Sequence, residues 1–265
     1  MFFFALLAFF ADENNAAQPE TAIATMQVTD QPAFVLHTRA WRETSAIVEL
    51  LTRDHGRVGV VARGLNSPKR HLLRAALQPL QHVRVDYLPR GELARLIQAE
   101  ALDAAPRLAG DVSMAAFYVS ELVLRLTPRN DSAQSVFDLY ARIRAELSGA
   151  PSLAWTLRRF ERDLLDALGY GLPWDETGEG QRLEPSARYR LDPELGPIRA
   201  ASPTQDSFSG EALLALAADT MPAPERLAEL RHALRGVLAS HLGPGGLRSW
   251  GLLDELARVR PRAEH

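Results

Sequence analysis

The chain of 265 residues contains no cysteine. That excludes disulfides, a thiol nucleophile, and any zinc or iron–sulfur site built on thiolates. It also fits a reducing cytosol. Lysine and arginine are absent from residues 1–30, which carry four acids. No apolar run approaches the roughly 20 residues that a membrane-spanning helix needs. The longest, from Phe2 to Phe10, lacks the preceding basic residues of a secretory signal. Residues 1–29 read as an extension, either an over-long start or a disordered tail, with a weak signal peptide as the runner-up. Nucleotide-hydrolase and zinc-protease signatures (GxxxxGK[ST], HExxH) are missing as well.

Composition is otherwise that of a globular protein, with 46% hydrophobic and 24% charged residues. The net charge of −3 hides a local excess. Residues 31–100 hold eleven Lys/Arg against six Asp/Glu, inside an otherwise acidic chain. A basic segment of this kind points to a polyanionic partner.

The basic segment also has strand periodicity. Residues 33–38, 46–52 and 57–62 are β-rich, and Asp54-His55-Gly56 between the last two makes a turn. Val83, Val85 and Tyr87 alternate with Arg84 and Asp86, which places Tyr87 in the core. Residues 93–101 supply a fifth strand. Five short strands in about 70 residues suit a small closed barrel such as the OB-fold. Residues 63–74 read as a mobile loop between strands three and four.

From residue 103 onward the pattern is helical. Residues 113–126 are apolar nearly all round, which predicts a buried central helix. Ser132 is the expected N-cap of a second helix, with Val136, Leu139, Tyr140, Ile143 and Leu147 in line. A third helix ends at Gly169. Residues 171–186 read as a loop and 187–200 as a small hairpin. Short and long helices open at Ser209 and Pro224, and a last one covers 247–259. The fold class is therefore α+β: an N-terminal five-stranded OB-fold barrel over 30–102, then a mainly helical domain over 103–260 with an insertion around 171–205.

Single-strand binding needs cations along a groove and aromatic faces for stacking. Arg39, Arg42, Arg53, Arg57, Arg63, Lys69, Arg70 and Arg74 are the candidate cations. Lys69, Arg70 and His71 form a candidate phosphate clamp. Trp41 is either a stacking surface or a core residue. No base-reading motif is present, so binding should be largely independent of sequence. No acid–base or nucleophile set is visible: Asp54-His55 has no Ser or Cys partner at motif spacing, and the histidines are scattered. The reading is non-enzymatic.

Ordered along the chain, several segments together resemble the RecO family of bacterial DNA-repair recombination mediators. They are residues 34–45 (FVLHTRAWRETS), 51–57 (LTRDHGR), 61–64 (VARG), 77–79 (LQP), 118–122 (YVSEL), 137–140 (FDLY), 159–161 (RFE) and 241–243 (HLG). The similarity runs over about residues 30–260. It implies binding and annealing of single-stranded DNA and help in loading RecA. It also implies engagement of RecR and of the acidic, apolar tail of single-strand-binding protein. Phe117, Leu122, Arg125 and Arg129 are the candidate socket for that tail. The resemblance further implies a cytoplasmic, nucleoid-associated protein, and leaves open whether duplex DNA shares the groove. Two features depart from the family. Many members hold a four-cysteine zinc site, which this chain cannot build, so no cofactor is expected. The family's Ser-Arg pair near the C-terminus is Ser249-Trp250 here. An RNA-binding barrel and a protein adaptor are the alternatives from other classes.

Overall fold

The computed structural model describes residues 26–251, apart from Asn66 and Gln205. Residues 1–25 of the expected extension and the expected helix beyond residue 251 lie outside the described residues; the last residues of the extension are described, and β1 begins among them at Val28.

Five strands close into a barrel: β1 (Val28–Trp41), β2 (Ser45–Thr52), β3 (Gly56–Ala62), β4 (His82–Leu88) and β5 (Ala94–Ala101), in the order β1-β2-β3-β5-β4. β1 is long enough to pair with both β2 and β4, and the barrel closes where β3 meets β5 in parallel. A register irregularity between Val35 and His37 bends β1 between its partners. Alternation sorts the side chains. Ala33, Val35, Val48, Leu50, Val60, Val83, Val85 and Tyr87 fill the interior. Phe34, Leu36 and Leu51 leave the barrel and join the core of the helical region.

Residues 63–74 are not an open loop throughout. A 3-10 turn (Pro68–Arg70) leads into α1 (His71–Ala76), which plugs the barrel. Leu65, Ala76 and Leu77 are buried among barrel residues, and Leu73 packs against them. The 3- and 4-residue spacing of Leu73, Ala76 and Leu77 puts one apolar face on the barrel. Six residues are too few for that periodicity to stand out in the sequence.

The remainder packs as α2 (Gly110–Leu126), α3 (Gln134–Glu146), α4 (Leu153–Ala167), α5 (Gly210–Ala217) and α6 (Pro224–Leu242). A three-stranded sheet, β7-β6-β8, is built from β6 (Arg188–Asp192), β7 (Gly196–Arg199) and β8 (Phe208–Ser209). Ser209 caps α5 by accepting from the Ala212 N–H, 3.3 Å. Ser132 does not cap α3; the cap position is Ala133, with no side-chain bond. Residues 171–186 are anchored by buried Leu172, Trp174 and Leu183. None of the helices among the described residues is long and apolar enough to cross a membrane.

The helical part docks on the outer face of β1–β3. Phe34 lies 4.8 Å from Phe137 and 5.2 Å from Tyr140, centroid to centroid. Arg144 donates to the Leu80 carbonyl (2.6 Å) and makes a two-pronged bond to Asp103 at 2.8 Å. Gly56 has φ +62°, and a Cβ there would sit 1.7 Å from the Asp131 carbonyl oxygen. Only glycine meets both demands. The Asp54-His55-Gly56 turn is thus one point of close approach between the two parts.

Candidate nucleic-acid interface

Strand register divides the basic residues into two ends of the barrel. In β1, Arg39 lies opposite Ile47 and Trp41 opposite Ser45. Ala46 in turn pairs with Ala62, the residue before Arg63. Arg39, Trp41, Arg42 and Arg63 therefore share the end marked by the β1–β2 hairpin. All four are exposed. Trp41 is 39% exposed, and the Arg39 guanidinium sits 5.9 Å from its ring centroid. Trp41 is thus a surface ring rather than a core residue. The Arg42 backbone, with φ 54°, turns the chain here.

α1 brings the second group to the same side. The Thr38 hydroxyl donates to the Leu77 carbonyl at 2.8 Å, which ties the end of α1 to β1 beside Arg39. Lys69, Arg70 and His71 are exposed and Arg74 is half-buried. Lys69 is the only lysine in the chain; every other cation is an arginine, whose planar fork suits phosphate oxygens. Lys69 and Arg70 line a 650 Å³ groove between α1 and β5.

Arg53 and Arg57 do not belong to this set. They sit at the other end of β2 and β3, about 20 Å away at ~3.3 Å per strand residue. Arg57 is committed to the docking face. Its guanidinium reaches the Glu49 carboxylate (3.2 Å) and the Thr127 carbonyl (2.9 Å). Burial lowers its pKa, against the pull of Glu49. Glu49 is 7% exposed and also binds Arg129. Across β2–β3, Glu49 pairs with Gly59 and Leu51 with Arg57, so Glu49 and Arg57 are diagonal neighbours on one face.

The four residues expected to form a peptide socket do not all come together. Leu122 is 0% exposed and belongs to the core. Arg129 is occupied by Glu49. Phe117, by contrast, is 52% exposed, and with Arg125 it faces a cleft between α2 and the barrel. α2 does not bury all of its apolar sides, because the barrel stops short of the Phe117 face.

A separate apolar cavity of 370 Å³ opens on another side of α2. Tyr118, Leu153, Leu157 and Trp250 give it apolar walls, Arg158, Arg231 and Arg235 give it cationic ones, and Asp111 adds a carboxylate. Arg235 lies over the Trp250 ring at 4.7 Å. Beneath it, Glu161 is fully buried, paired with Arg158 and accepting from the Tyr118 hydroxyl at 2.6 Å. Burial raises the pKa of both Glu161 and Tyr118. These walls come from α2, α4, α6 and a helical turn at 248–251, so no local sequence signal marks them.

Among the described residues, no group of three or more His, Asp or Glu is placed to hold a metal.

Two family models cover the chain in succession. Residues 26–105 match "Recombination protein O N terminal" and residues 107–251 match "Recombination protein O C terminal". The DNA repair protein RecO of Xanthomonas oryzae pv. oryzae (strain PXO99A) is 51% identical over 240 residues, which is 89% of this chain and 100% of that protein. The RecO of Stenotrophomonas maltophilia (strain K279a) is 53% identical over 239 residues, again 89% and 100%. That of Xanthomonas campestris pv. campestris (strain B100) is 51% identical over 238 residues. Matched through both of its halves, the chain belongs to the RecO family of DNA repair and recombination proteins.

Proposed function

We propose that this protein is a non-enzymatic recombination mediator that binds single-stranded DNA along the Arg39–Arg63 end of its barrel and across α1. The supporting observation is that Arg39, Arg42 and Arg63 share one end of the barrel with the exposed Trp41, while Thr38 ties α1, preceded by Lys69 and Arg70 and carrying Arg74, to β1 beside Arg39. Cations track phosphates and a ring stacks a base, so the surface tolerates any sequence. Screening of phosphate charge lets complementary strands approach, and annealing follows without nucleotide hydrolysis. The mediator works in the cytoplasm on the nucleoid, without a metal or other cofactor. RecR is its family partner, and RecA loading is the outcome.

The acidic, apolar tail of single-strand-binding protein needs an apolar socket beside cations. The 370 Å³ cavity puts Leu157 and Trp250 beside Arg235, with Arg158 already paired to Glu161, and we assign the apolar end of the tail to it in place of the Phe117–Arg129 set.

Fluorescence anisotropy of labelled oligo(dT), titrated with the protein over a salt series, tests the DNA reading. Tight binding that weakens steeply with salt is expected. Absence of binding at low salt would refute it. Preference for an RNA oligonucleotide in competition would move the barrel to the RNA-binding class.

A further inference from the structure

The largest of the cavities named here, 730 Å³, lies between the outer face of the barrel and α2. OB-fold barrels commonly use the outer face of their second and third strands for single strands. Here that face is partly covered: Arg129 packs over Gly59, and α2 stands beside β1. A strand running from Trp41 along this face would enter the cleft.

The cleft is chemically prepared for a polyanion with an aromatic content. Arg39, Arg125 and Arg248 line it, all exposed. Among the described residues no carboxylate pairs with any of the three. The two carboxylates that line it are already occupied. Glu49 binds Arg57 and Arg129. Glu121 accepts from the backbone N–H of Arg248 (2.8 Å) and of Ser249 (2.9 Å). Phe117, half exposed, lines the cleft together with these cations. The Ser249 hydroxyl, in a residue only 7% exposed, lines the same cleft with no hydrogen-bond partner. A buried hydroxyl of this kind calls for an acceptor.

We propose that the cleft holds a second stretch of the single strand, with phosphates on Arg39, Arg125 and Arg248 and an unpaired base stacked on Phe117. This rests on the single-strand reading of the barrel and extends it. Arg39 is the joint, because it lines the cleft and also lies against Trp41. A free base has an open face for Phe117, whereas duplex bases are already stacked on each other. The bound strand would therefore span both halves of the protein.

The test uses the full chain with labelled oligo(dT) of increasing length. Phe117→Ala is expected to weaken binding of long oligonucleotides by on the order of ten-fold, with the shortest ones bound as by the wild type. The double variant Arg125→Gln/Arg248→Gln should reduce the salt slope by about 1.4. All three side chains are exposed, and circular dichroism checks that the variants are folded. As a measurement on the unaltered protein, photo-crosslinking with 5-iododeoxyuridine oligonucleotides should label the peptide bearing Phe117. Variants that bind like the wild type at every length, or crosslinks confined to the barrel, would overturn the cleft and leave the barrel site standing. A wild type that binds no oligonucleotide at all would overturn both.

Discussion

The division of the basic residues into two ends of the barrel makes a quantitative prediction. Six cations, Arg39, Arg42, Arg63, Lys69, Arg70 and Arg74, lie on one side. Each neutralised phosphate contributes about −0.7 to the slope of log K against log salt, so on an oligo(dT) too short to reach the Phe117 cleft six give about −4. Affinity should then fall about 300-fold between roughly 50 and 200 mM salt. The triple variant Lys69→Gln/Arg70→Gln/Arg74→Gln removes half of these contacts. Its slope should be about −2, with a loss of only about 20-fold over the same interval. Arg53→Gln serves as the control, because Arg53 is exposed but sits at the opposite end. Its slope should equal that of the wild type. Oligo(dT) anisotropy across a salt series, at fixed temperature and pH, measures all three. A triple variant with the wild-type slope would refute the assignment of α1 to the DNA surface. An Arg53 variant that loses as much slope would show that the charges act as a diffuse field rather than as a located path.

Three other outcomes follow from the geometry. Gly56→Ala should lower the urea midpoint by the equivalent of more than ~1 kcal/mol, since the new methyl strains φ +62° and meets the Asp131 carbonyl; an unchanged midpoint would show that the docking contact can shift freely. Burial lowers the pKa of His82, with Asp103 opposing and Arg144 adding to the effect. A depressed folded value means stability that is full above the ordinary histidine range, ~6.5, and is lost as pH falls through the folded value. The melting temperature of wild type should therefore drop more between about pH 7.5 and pH 5.5 than that of His82→Gln, and equal drops would argue against it. Elemental analysis should find far less than one zinc per chain, because no thiolate is available; stoichiometric zinc would refute the cofactor-free reading.

Most of the barrel was legible along the chain. Val83, Val85 and Tyr87 alternate cleanly, and period two alone puts Tyr87 inside, where it is 2% exposed. The Asp-His-Gly turn needs only local chemistry. The helix over residues 71–76 was hidden because two short turns carry too few periods to distinguish from loop. α2 shows the opposite problem. An apolar residue on nearly every side predicts burial but cannot say which side is left open. Phe117 and Leu122 look alike in the sequence, and the one is surface while the other is core.

The candidate site follows the same division. Composition alone located the positive charge between residues 31 and 100, and the absence of cysteine ruled out a thiolate site. These are properties of residue content and spacing, which folding does not alter. Which cations remain available depended on contacts between residues far apart in the chain. Arg57 and Arg53 differ only in that Arg57 faces Glu49 across β2–β3, under a loop that delivers Arg129 from 80 residues away. Trp41 is a surface ring because it ends β1 at the β1–β2 hairpin, opposite Ser45 and beyond the residues that fill the barrel. The cleft and the Trp250 cavity exist only where helices meet strands or one another. Pairing and exposure are decided by packing, and packing is a property of the tertiary structure.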